Sequence, residues 1–270
     1  MSSASASSVP STQTTAPVPS ASLPSPREEA SGLVPVTELL HGVALATEVV
    51  QESVEALDAT AVRAPSLLPG WSRAHVITHL ARNADALVNL LTWAKTGVEH
   101  PAYASRADRD ADIEEGANRP LQLLRADLDS ACLRFAAAAE ALTPSAWNAE
   151  ISPPAGASIP AHRVPFLRLR ELWFHLVDLN VGTGFGDLPP ERLEAFVDDA
   201  VCVLRTHDDA PPLRLVVELP DGRQRTWEVA AGGASPDEVR GSAADVLAWL
   251  TGRHDGTGLI GTTPELPDWA

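Results

Sequence analysis

An α+β fold is predicted, with a helical bundle first and a smaller α+β region after it. Three observations carry this prediction. Four long stretches before Gly182 place apolar residues at three- and four-residue spacing, as helices burying one face do. After "GTGFGDLPPE" the pattern changes to short strand-like runs and turn residues. The chain has 270 residues, 44% of them hydrophobic, enough to bury a sizeable core and more comfortably two domains than one.

The elements follow in order. "MSSASASSVPSTQTTAPVPSASLPSPREEA" is built of small and polar residues with no charge before Arg27. It lacks the basic start and apolar run of a signal peptide, so residues 1–33 are expected to form a disordered tail. Thr37 can cap a first helix reaching about Leu57, with Leu39, Leu40, Val43, Ala46, Val50, Val54 and Leu57 on its apolar stripe. "LLPGWSRAHVITHLARNADALVNLLTWAKTG" predicts a second helix, capped by Ser72 and stopped by Gly97. A polar connection from His100 to Asn118 is expected to hold a short helical piece.

"RPLQLLRADLDSACLRFAAAAEAL" predicts a third long helix with Pro120 in its first turn, and "NAEISPPAGASIPAHRV" a loop or short hairpin. A fourth helix begins near Val164 or Pro165 and ends before Gly182. Four such helices suggest a bundle over residues 34–185. Residues 186–270 are expected to form a second, smaller α+β domain, in which a helix from about Pro190 to Arg205 precedes "LRLVVELPDGRQRTWEV", two strands around an Asp221-Gly222 turn. A glycine-rich break, a short run "VRG", the helix "SAADVLAWLTGR" and an irregular tail complete this region.

Charge and cysteine usage exclude several function classes. A formal net charge of -16 disfavours nucleic acid or an anionic membrane as partner, since phosphate would meet like charge. No apolar run is long enough for a membrane span. Cys132 and Cys202 stand seventy residues apart and form neither a CxxC pair nor a disulfide framework. They read as small apolar side chains in a protein of the reducing cytoplasm, so thiol chemistry would need a thiol from elsewhere. The absence of a heptad or a large uncharged stripe favours a monomer.

One segment raises a chemical question. "RLRELWFHLVDLNVG", Arg168 to Gly182, puts Glu171 and His175 one above the other on an otherwise apolar helix, with Asp178 and Arg168 continuing the polar stripe. Burying it is costly unless its charges are paired or used. The second helix carries His75 and His79 at the same spacing, with Arg82 one turn on. His79, Glu171 and His175 together offer two nitrogens and a carboxylate, a donor set suited to zinc or another divalent transition metal with a coordination position left open. The same spacing also suits a helix-stabilising pair, and His75 fits a capping-turn or outer-layer role. No HExxH motif occurs, so a zinc-protease mechanism has no ordinary motif behind it.

"LLPGWSRAHVITHLARNADALVNLLTWAKTG", the following "PAYAS", "RLRELWFHLVDLNVGTGF" and "VRGSAADVLAWLTGR" resemble, in that order, the mycothiol-dependent maleylpyruvate isomerase family, a branch of the DinB-like metal-binding bundles. The similarity runs from about residue 35 to the end. It implies a DinB-like four-helix bundle holding a divalent metal, usually zinc, and a C-terminal domain similar to sterol carrier proteins. Its implied ligands fall on His79, Glu171 and His175, and its C-terminal arginine on Arg253, with Arg240 as competitor.

The activity implied is conversion of maleylpyruvate to fumarylpyruvate. Reversible addition of a thiolate turns the cis double bond into a single bond free to rotate. Mycothiol would supply the sulfur, and the metal would stabilise its thiolate. A dicarboxylate and its enolate call for fixed guanidinium groups, for which Arg82 and Arg253 are the candidates. Asp178 or Asp85 would orient the ligand imidazoles, and Trp71, Trp93, Tyr103, Trp173 and Phe174 are available as cleft walls or core. The alternative is a mycothiol S-transferase acting on another electrophile; a third class is a non-catalytic zinc-dependent regulator or small-ligand module.

Overall fold

Apolar periodicity sets the helices of the computed structural model, which describes residues 34–152, 158–229 and 235–269. The tail expected at 1–33 and the glycine-rich break after Val229 lie outside the described residues. Helix α1 spans Val36–Glu55 and buries Leu39, Val43, Ala46, Val50 and Val54. Helix α2 spans Arg73–Thr96; Ser72 is its N-cap and Gly97, at φ 71°, its left-handed C-cap. Helix α3 spans Arg106–Ala117, the piece expected in the polar connection, and Ser105 caps it by accepting from the Asp108 backbone N–H.

Helix α4 spans Leu121–Glu140, with Pro120 at the N-cap rather than inside the first turn, and helix α5 spans Val164–Asp178. Between them, β1 (Glu150–Ile151) and β2 (Ile159–Pro160) pair antiparallel as the short hairpin. Helix α2 packs on α4 and α5, and α1 closes the bundle against α5 and α4, while α3 lies on α2. At that last contact Gly116 leaves room for Thr78, whose Cγ2 would lie 2.4 Å from a Cβ at residue 116.

Helix α6 spans Pro190–Leu204 and precedes β3 (Leu213–Glu218) and β4 (Gln224–Val229). These strands pair antiparallel around a turn where Gly222 takes φ 82°. The run "VRG" lies in a full strand, β5 (Asp237–Ser242), which pairs parallel with β3. Helix α7 (Ala243–Leu250) follows, and β6 (Ile260–Gly261) completes the sheet in the order β4-β3-β5-β6. The sequence pattern did not show β6, which is two exposed residues long. The described residues from Val36 onward form one compact unit, mixed α+β as expected.

Candidate metal centre

Helix α5 places Glu171 and His175 on one side, and α2, packed along it, brings His79 to the same point. Their coordinating atoms all lie within 4.8 Å of one another. Glu171 Oε2 stands 3.0 Å from His79 Nε2 and 3.4 Å from His175 Nε2. Ligands about 2.0–2.2 Å from one ion in tetrahedral geometry are about 3.4 Å apart. The separations and the mixed imidazole and carboxylate donors therefore fit a divalent transition metal.

The outer partners orient each donor. His175 Nδ1 lies 2.8 Å from Asp178 Oδ2, directing Nε2 toward Glu171. Asp178 is fully buried and accepts twice from Arg253, from Nε at 3.1 Å and from Nη2 at 2.8 Å. Glu171 Oε1 accepts from Arg170 Nη2 at 3.2 Å, and Arg170 Nη1 donates to Asp199 of α6 at 2.6 Å. Two chains of charge thus run from the C-terminal region to the two α5 donors: Arg253 to Asp178 to His175, and Asp199 to Arg170 to Glu171.

These contacts divide the protonation states. Burial, with the neighbouring His175 charge, pushes the His79 imidazole down to about 4 despite its bond to Glu171, so it is neutral near pH 7. Burial would also lower His175, but bonds to Asp178 and Glu171 outweigh it and raise its pKa. Burial would raise Glu171, yet hydrogen bonds from His175 and His79 hold it well below the usual carboxylate range. Asp178 is held low against its own burial by His175 and Arg253.

The remaining candidates fall in different places. His75 belongs to the cap of α2: its Nδ1 lies 3.1 Å from the Ser72 backbone N and 2.7 Å from Ser72 Oγ. Arg82 turns to α4, donating to Asp127 at 2.7 Å, with Asp85 at 3.1 Å. Asp85 pairs with Arg134 at 2.7 Å, so Asp178 and not Asp85 stands behind a site imidazole. Arg240 lies on β5, paired with Glu238 at 2.6 Å. Trp71 borders the site, its ring centroid 5.6 Å from that of His79. Phe174 packs with Phe185 and Phe196, in the core.

The sequence reading missed two residues. Arg109 of α3 brings Nη2 to 3.3 Å from His79 Nδ1. Trp269 packs its ring under the Arg170 guanidinium at 5.6 Å and beside Phe174 at 6.1 Å. Nothing in local spacing couples either one to the site; Arg109 lies in the polar connection from His100 to Asn118, expected only to hold a short helical piece.

The profile of the mycothiol maleylpyruvate isomerase N-terminal domain matches residues 43–180, most of the bundle and the α5 donors. The chain is similar to the crystal structure of a mycothiol-dependent maleylpyruvate isomerase, with 30% identity, a TM-score of 0.79, and coverage of 88% of this chain and 97% of that one. A histidine-to-alanine mutant of that isomerase gives the same values. A search of curated proteins found no match.

Proposed function

The chain belongs to the mycothiol-dependent maleylpyruvate isomerase family, and from that premise we propose that it isomerises maleylpyruvate to fumarylpyruvate with mycothiol as thiol cofactor. The observation that carries the reading is the convergence of His79 Nε2, Glu171 Oε2 and His175 Nε2 in a buried site. We assign these three side chains as ligands of one divalent ion, zinc by the character of the donors. Such an ion, when bound, favours the thiolate form of mycothiol near neutral pH, the nucleophile that cis-trans isomerisation requires.

The protein's own residues do the positioning. Asp178 holds His175 by Nδ1 and thereby leaves Nε2 directed inward. Arg253 fixes Asp178 through two donors, so its role in this reading is to orient a ligand from the C-terminal region. Arg170 holds the outer oxygen of Glu171. Arg82 is committed to Asp127, and no substrate contact is assigned to it. His79 is only 5% exposed and Glu171 and His175 are partly buried beside it, which limits the access of bulk water to the donors. Two neutral imidazoles and one carboxylate leave a divalent site with a net positive charge, which favours an anionic ligand.

A cytoplasmic setting belongs to the same proposal. It is supported by the two free thiols, Cys132 and Cys202. Among the described residues no helix is long and apolar enough to cross a membrane.

Product identity under limiting thiol tests the reaction. Zinc-loaded protein, maleylpyruvate in excess and mycothiol well below one equivalent of substrate should yield fumarylpyruvate over many turnovers, because an isomerase returns the thiol in each cycle. Consumption of one thiol per substrate with accumulation of a thioether would instead establish an S-transferase.

A further inference from the structure

Besides Arg240 on β5, four arginines near the centre or singled out for it engage acceptors of the protein itself, although the Nε of one of them, Arg82, is buried without a partner among the described residues. Arg82 donates to Asp127 and pairs with Asp85. Arg253 gives Nε and Nη2 to Asp178 and Nη1 to the Thr251 carbonyl at 2.8 Å. Arg170 is held between Glu171 and Asp199. Arg168, only 1% exposed, donates to the Leu80 carbonyl, to Asn83 Oδ1 and to Cys132 Sγ.

Arg109 differs from them. Among the described residues its one carboxylate partner is Asp110, the next residue in the chain, itself half exposed, which takes Nη1 at 2.7 Å. Its Nη2 lies 3.3 Å from Nδ1 of His79. A guanidinium has no acceptor, so Nδ1 must accept this bond while Nε2–H donates to Glu171. An imidazole offering Nε2 to a cation carries its proton on Nδ1 instead and cannot accept there. The contact that engages Nη2 is therefore incompatible with a metal-ligating His79, and Arg109 needs another acceptor in the loaded protein. Its side chain is 26% exposed, and its guanidinium lies over the Tyr103 ring at 6.0 Å, so the ring limits its sweep while the group remains partly accessible.

We infer that Arg109, backed by Tyr103, forms a carboxylate subsite beside His79 that takes one end of an anionic substrate. The inference rests on the isomerase reading and names a specificity-determining residue for it. A partly accessible planar fork released from His79 suits a carboxylate better than a neutral electrophile, and a carboxylate there could also accept from His79 Nδ1–H. Binding of a substrate carboxylate at Arg109 would thus favour the same imidazole tautomer that metal ligation requires.

The test uses zinc-loaded full-length protein and maleate, an unreactive cis dicarboxylate, with affinity read by calorimetry. Arg109→Met and, as a variant keeping polarity, Arg109→Gln should keep one equivalent of zinc and an unchanged circular dichroism spectrum. Each should bind maleate about 10- to 100-fold more weakly, as expected for a lost charge-assisted contact, and Arg109→Lys should recover only part of the loss. In turnover the Met variant should raise KM more than it lowers kcat. Unaltered maleate affinity in both the Met and Gln variants, or no maleate binding by the unmodified protein, would overturn the subsite. The isomerase reading is tested separately by product identity, so a protein that isomerises but binds maleate without Arg109 sinks only the present inference.

Discussion

At the scale of single residues, the proposed metal centre depends on a few polar atoms held in place by buried partners. Asp178 shows the dependence best, because it touches both His175 and Arg253 and is fully buried. Asp178→Asn keeps its volume but loses the charge that fixes His175, and outer-layer partners of this kind typically contribute 10- to 100-fold in metal affinity. The expected result is a folded protein whose zinc affinity falls by about that factor, measured by competition with a chelating dye. His175→Ala should go further and leave zinc well below one equivalent. If Asp178→Asn binds zinc as tightly as the unmodified protein, the orienting role of Asp178 is excluded. A neighbouring position carries a different cost: Arg168 is a buried cation satisfied by neutral acceptors and a thiol, and burial lowers its pKa against the pull of Cys132 and Glu171.

At the scale of elements, the contact of α3 on α2 carries Arg109 toward His79, and Gly116 makes that approach possible. A Cβ at this position would meet Thr78 Cγ2 at 2.4 Å, with the Thr78 hydroxyl bonded back to the Ala74 carbonyl at 2.9 Å. Alanine gains up to about 1 kcal/mol of helix propensity over glycine, while overpacking of this kind costs about 1–3 kcal/mol. Overpacking should win, so Gly116→Ala is expected to lower the denaturant midpoint, and adding Thr78→Ala should restore part of it. A midpoint unchanged in Gly116→Ala would mean that α3 can move away from α2 at no cost. The polar stripe of α5 is tolerated because Glu171, Asp178, Arg168 and Arg170 find partners on other elements, and His175 pairs with Asp178 of α5 itself.

At the scale of the whole molecule, the sheet is tied to α6 by a cluster of charge. Glu194 pairs with Arg223 at 3.0 Å and with Arg225, while Arg225 also reaches Asp198 at 3.0 Å. Slight burial would raise the Glu194 carboxyl, but Arg225 and Arg223 hold it below its ordinary value of 4.5. A depressed carboxylate stabilises the fold fully above its unfolded pKa and loses that contribution as pH falls through the folded value. Because the cluster is partly solvated, the contribution is about 0.2–1 kcal/mol. Glu194→Gln should therefore be slightly less stable than the unmodified protein at pH 7, with the gap closing as the pH is lowered past about 4. Urea titrations at both pH values measure it; a gap that widens in acid would contradict the sign. The overall charge of -16 makes the clustered guanidinium groups of the site stand out locally, since an anion is disfavoured over most of the surface.

Local pattern was sufficient for the elements of the bundle and for most of the C-terminal region. Ser72 and Gly97 bound α2 because capping and left-handed geometry depend on the residue and its immediate neighbours. Glu171 and His175 share a face because a helix turn is 3.6 residues, whatever surrounds it. Two further features were beyond such reasoning: β5 was visible only as a short run, since its parallel pairing with β3 is made across an intervening hairpin, and β6 is two residues long. The distance from His79 to the α5 pair, and the turning of Arg82 to α4, depend on how helices rotate against one another, which is set by packing of many side chains at once. Arg253 stands behind Asp178, Trp269 against Arg170, and Arg109 against His79 for the same reason. A guanidinium takes the acceptors that the assembled fold puts within its reach, and those acceptors come from residues far away in the chain.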